Sequence, residues 1–204
     1  MSRKVFALLF LIGAVDVTAW TDIRPALLQV YVYNQAGVPQ KFLLSAEQRT
    51  GRILRSASVE MRWLDCRAGS SSQGCAGLLP PGTVVVHIVH ESRSVNGDVF
   101  GAAFLGLDGS GTYANVFYDR LRAFERDHEI SPVALLGHVM AHEIGHLLGL
   151  SSHSNLGIMQ AAWDEDQLRR AERGELLFSA EESRSIRQKL AGRKEPICDV
   201  ASLH

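Results

Sequence analysis

Between Pro132 and Leu150 the chain is apolar almost all the way round a helix, yet it carries His142, Glu143 and His146 in the middle. No other stretch constrains the fold as strongly. Val139, Ala141, Ile144, Leu147, Leu148 and Leu150 require a buried helix, and two imidazoles and a carboxylate are costly to bury without partners. Ser131-Pro132 opens the segment in the favoured order, a cap and then proline at the first helical position. Gly149 closes it. The spacing therefore predicts a helix over 132–148 inside a domain large enough to surround it. Side chains four apart share one helix face, with Cβ atoms about 5–6 Å apart. His142 and His146 can thus converge on one zinc ion, which binds imidazole nitrogen at ~2.0–2.1 Å. Glu143 lies one residue round the helix, displaced from the two ligands, where it can reach a metal-bound water as general base.

The rest of the chain can supply that domain. It has 204 residues, 46% of them hydrophobic, enough for one sizeable core. Its 21 basic and 22 acidic residues nearly cancel, to a net charge of −1. No field therefore draws it to nucleic acid or to an anionic membrane, and both are excluded as expected partners. Strands are expected at 27–33, 59–64, 83–89, 99–105 and 113–118, where β-branched and aromatic residues cluster between turn signals. Ser45-Ala46-Glu47-Gln48 reads as a capping box opening a helix over 45–58, and Ser179-Ala180-Glu181-Glu182 as another, opening a last helix from about 180 to 190. The segment 151–166 reads as a loop. This order predicts an α+β fold, an α/β sandwich with one mixed sheet of about five strands.

The amino terminus reads as an address. Arg3 and Lys4 precede an apolar run from Val5 to Val15, and Val17-Thr18-Ala19 offers small residues for cleavage after Ala19. The run is far shorter than the ~20 residues a membrane span needs. Residues 1–19 are expected to be a signal peptide, and 20–204 a single secreted, unanchored, monomeric domain. In an oxidising compartment Cys66 and Cys75, nine apart in a Gly/Ser-rich stretch, suit a short disulfide loop worth about 2.5–3 kcal/mol. Cys198 is either free or replaces one of them.

A third ligand is within reach. Gly149 can adopt φ > 0, letting the chain double back and return His153 to the metal. Gly157-Ile158-Met159 follows. Together HEIGHLLGL, His153-Ser154 and GIM resemble the metzincin zinc peptidases, whose pattern is H-E-x-x-H-x-x-G-x-x-H followed by a methionine turn. The resemblance is to matrixin-like members of a small bacterial, secreted type. One departure stands out: Ser152 occupies the usual place of the third histidine, and His153 comes one residue later. The resemblance implies a twisted sheet with two packed helices, an active-site helix, a Met-turn and a C-terminal helix. It also implies peptide-bond hydrolysis with zinc on His142, His146 and His153 and Glu143 as general acid/base. Met159 would form a hydrophobic floor under the metal. Substrate would lie extended along an edge strand, for which 99–104 is the candidate. Pocket walls would come from 160–163. Ala161 stands where some branches place a tyrosine ligand, so none is expected. Asp108 among its glycines matches a stretch that binds calcium in matrixins, but without a full set of oxygen ligands calcium is not indicated. Only about seven residues separate Ala19 from the first strand, so a long inhibitory propeptide is not expected. His138, one turn before His142, is assigned to packing or outer-sphere support, and His87, His90 and His128 to structure or surface.

Three other readings stay open. A gluzincin-like hydrolase would take its third ligand from Glu165 or Glu172. A zinc-stabilised binding module would keep the ligands without turnover. A hydrolase of non-peptide amides would share the site and differ in the cleft.

Overall fold

A computed structural model of the chain describes residues 25–66, 75, 79–80, 82–91 and 99–192. The signal-peptide and Cys198 expectations fall outside these residues. Alternation sets the sheet: Leu28, Val30 and Val32 of β1 (Ala26–Asn34) point to one face, as do Val84, Val86 and Ile88 of β3 (Val84–Val89), and all are buried. β2 (Val59–Asp65), β4 (Gly101–Leu105) and β5 (Gly111–Phe117) complete a mixed five-stranded sheet in the order β2-β1-β3-β5-β4. Every neighbouring pair is parallel except β4 with β5, which form an antiparallel hairpin. β4 therefore ends the sheet, as expected for the candidate edge strand.

Two helices cover the inner face. α1 (Gln40–Ser56) joins β1 to β2, and α3 (Pro132–Leu147) packs against α1, β4 and β5. Between sheet and helices lies one core, containing Leu43, Ile53, Leu54, Leu135, Leu136 and Met140. Thr50 ties the helices together, its hydroxyl 2.8 Å from the Gly137 carbonyl. On the other face Tyr31, Val85 and Cys66 make a smaller cluster, closed by the expected disulfide from Cys66 to Cys75.

The structure corrects three element expectations. α1 starts five residues before Ser45, at Gln40, and is preceded by Pro39 at the N-cap, whose φ of −54° suits a helix entry. Ser45 is not a cap: it lies inside α1, where its hydroxyl donates to the Lys41 carbonyl one turn back, and Glu47 beside it is buried. A helix α2 (Tyr118–Asp127) continues straight out of β5, and α4 (Glu165–Arg173) follows the 151–164 loop; neither was expected. The last helix, α5 (Ala180–Gly192), begins as expected, with Ser179 and Glu182 bonding each other's backbone N–H. No helix among the described residues is long and apolar enough to cross a membrane.

Candidate metal centre

The buried middle of α3 is a consequence of its ends. Ser131 caps it, its hydroxyl accepting from Ala134 N–H, while Ser131 N–H donates to Glu172 Oε2 at 2.8 Å. Every residue from Ala134 to Leu147 is then buried. At the far end Leu148 N–H and Gly149 N–H close the last turn onto carbonyls of Ile144, Gly145 and His146. Gly149 has φ +99°, a conformation that side chains rarely adopt, and the chain turns back there.

That reversal brings His153 to the histidines of α3. One ligand nitrogen from each of His142, His146 and His153 lies within 4.8 Å of the others. The Nε2 atoms of His142 and His146 are 3.1 Å apart, close to the ~3.3 Å edge of a tetrahedron with ~2.05 Å bonds. His142 Nδ1 donates to the Ile158 carbonyl at 2.8 Å and His146 Nδ1 to the Leu150 carbonyl, which leaves both Nε2 lone pairs for a metal. Burial holds the His142 pKa down at about 4 and lowers that of His146 too, so both rings are neutral near pH 7, the state that ligates. Three imidazoles without a thiolate, one of them exposed to the cleft, are the donor set of a zinc site with an open position. His153 thus joins the cluster despite the extra residue in its loop.

Glu143 sits beside the cluster, 5% exposed, and burial pushes its carboxyl up to about 8. The same burial that isolates it fits it for proton transfer near neutrality. Below the histidines a single 3₁₀ turn, Gly157–Met159, packs against α3, with the Met159 sulfur in contact range of Gly145. Trp163 Nε1 donates at 3.3 Å to the Ile158 carbonyl that holds His142, and its ring stands edge-on to both His138 and His142. A cavity of about 430 Å³ opens beside the three histidines and Glu143, walled by β4, Phe124 of α2, Val139 and the 160–163 segment. The walls anticipated at 160–163 are there, including Ala161, while Phe124 arrives on the unforeseen α2.

Other candidates resolve differently. Glu172 is committed to Ser131 at the opposite end of α3, and Glu165 stands exposed beside Arg169, so neither joins the histidine cluster. His138 is fully buried, its Nδ1 donating to the Ala134 carbonyl, and is held at about 4 by burial. His87 stacks on Tyr33, His128 stacks on Phe124, and His90 meets Asp119 at the surface. Asp108, the calcium candidate, already faces a cation: Lys189 of α5 lays its stem over Gly149 and places Nζ 2.8 Å from Asp108 Oδ2 and 3.2 Å from its carbonyl. These bonds hold the Asp108 carboxyl well below the usual range.

No family model matches the chain and no curated protein does. Solved structures share its fold. Archaemetzincin from Methanopyrus kandleri superposes with a TM-score of 0.57 at 18% identity, over 82% of this chain and 98% of that one. A zinc-dependent peptidase from Methanocorpusculum labreanum does so at 0.53 and 15%, over 77% and 99%. Metalloproteinase-II from Bacteroides fragilis gives 0.51 at 15%, over 81% of this chain and 53% of its own.

Proposed function

We propose that this chain is a secreted zinc endopeptidase of metzincin type, close in plan to the matrixins. One observation carries the reading: three histidine nitrogens within 4.8 Å of one another share a cleft with a buried glutamate and the last strand of the sheet. The archaemetzincin and zinc-peptidase structures that share the fold support it. Zinc, held by His142, His146 and His153, would supply a Lewis acid that polarises the scissile carbonyl and lets water ionise near neutral pH. Glu143 is the proton carrier. Its carboxylate, the form that a neighbouring dication would favour over the buried acid, takes the proton of the attacking water and delivers it to the amide nitrogen as the C–N bond breaks, so it ends each cycle ionised again. His142 and His146 are kept in the ligating tautomer by the Ile158 and Leu150 carbonyls. The peptide lies extended along β4, which offers main-chain groups as an added strand would need. Phe124, Val139 and Trp163 form an apolar recess for one large side chain next to the cleaved bond. The signal peptide at 1–19 and the disulfide suit an oxidising, extracytoplasmic setting.

The test is cleavage of an unfolded protein by zinc-loaded wild type and Glu143→Ala. Cleavage that falls by about 10²–10⁴-fold in the variant, at equal zinc content, supports the reading. If both hold zinc and neither cleaves, the peptidase assignment fails and a binding module takes its place.

A further inference from the structure

β4 begins at Gly101, which pairs with Val116 of β5 and passes directly over α3 at Glu143. Its φ lies outside the left-handed region, so the backbone there does not require glycine. Space does. A Cβ built on Gly101 would lie 2.4 Å from Glu143 Oε1 and 2.7 Å from both Cδ and Cγ. Three atoms of the glutamate side chain, Cγ, Cδ and Oε1, thus occupy the room that any other residue would need. Ala102 and Ala103, the next two residues of the strand, carry side chains and also line the cleft. Glu143 is 95% covered and lines the cleft.

From this we infer that Gly101 is a positioning residue for catalysis: its missing side chain is the slot that fixes the Glu143 carboxyl beside the histidine cluster. The inference rests on the zinc-peptidase reading. The overlapping atoms belong to the end of a flexible side chain, so a methyl group at 101 can be accommodated by swinging the carboxyl aside. The fold then changes little while the proton carrier is displaced by an ångström or more. Misplacement on that scale costs rate out of proportion to stability.

The experiment compares wild type, Gly101→Ala, Glu143→Ala and the double variant for zinc content, thermal stability, kcat and KM. Gly101→Ala is expected to bind one zinc, to melt within a few degrees of wild type and to keep its KM, while kcat drops by about 30–100-fold. Adding Gly101→Ala to Glu143→Ala is expected to lower the residual rate by less than about threefold more, because the atoms that fill the slot are already gone. A Gly101→Ala enzyme with kcat near wild type, or an equal loss in both backgrounds, overturns the inference. Should Gly101→Ala melt well below wild type, Glu143→Ala in the same chain must restore it; without that rescue the slot is not what Glu143 fills. If wild type cleaves nothing, the peptidase reading falls separately, and a crystal structure of Gly101→Ala decides the slot: a displaced carboxyl upholds it, an unmoved one overturns it.

Discussion

His153 makes the sharpest demand on a single side chain. It is exposed, it hangs on a turn made by Gly149, and it supplies one of three ligand nitrogens. His153→Ala should therefore weaken zinc binding by more than the ~10–100-fold that losing an outer-sphere partner costs. The stability of the zinc-free protein should stay within about 0.5 kcal/mol, since no core contact is lost. Competition against a chelator of known affinity measures the first, and a denaturant melt the second; unchanged zinc affinity would remove His153 from the ligand set. His142, Glu143 and His146 were legible because helical spacing and apolar context act within a few residues. His153 was legible once Gly149 was read as a reversal. Gly101 and the Trp163 N–H were not, because each acts through atoms brought near by the fold, and nothing local distinguishes a glycine that yields room from one that merely ends a strand.

At the scale of elements, local signals were reliable where a cap and an apolar stripe agreed, as at Ser131 and Ser179. They misled where chemistry could be satisfied another way. Ser45 resembled a cap but bonds backward inside α1, whose start is set by Pro39. α2 escaped notice because Tyr118 follows Phe117 of β5 without a turn residue, and Leu121 is its one buried side chain. α4 is short, yet its start was written in the sequence: Asp164 accepts from Asp166 and Gln167 N–H, and Gln167 returns a bond to Asp164 N–H. Both its ends are anchored, since Arg49 of α1 donates to the carbonyls of Ala171 and Glu172 near its last turn. Removing that cap with Asp164→Ala should cost about 1 kcal/mol in urea unfolding. Zinc affinity should not change, because α4 supplies none of the cluster. A loss of zinc instead would mean that α4 props the 160–163 wall.

For the molecule as a whole, the buried ionisable groups set a stability profile. Burial, reinforced by Asp65, raises Glu47 to about 7, and burial raises Glu143 to about 8. Raised carboxyls stabilise the fold below their unfolded pKa near 4.5 and lose that contribution as pH climbs through 7 and 8. His138 and His142, both held at about 4, act oppositely: their contribution is complete above 6.5 and disappears as pH falls through 4. The zinc-free protein should therefore melt highest in mildly acidic buffer. Glu47→Gln should melt above wild type at pH 9 and lose that advantage near pH 4.5, as scanning calorimetry in a zinc chelator would record; a constant offset across pH would refute the assignment. One contact reaches beyond the active cleft. Where the Asp108 turn faces α5, the positive charge is Lys189, a part of the polypeptide. A countercharge fixed in the covalent chain cannot be diluted away or stripped by a chelator, so the hairpin that carries the cleft's edge strand keeps a cation beside Asp108 at any protein concentration.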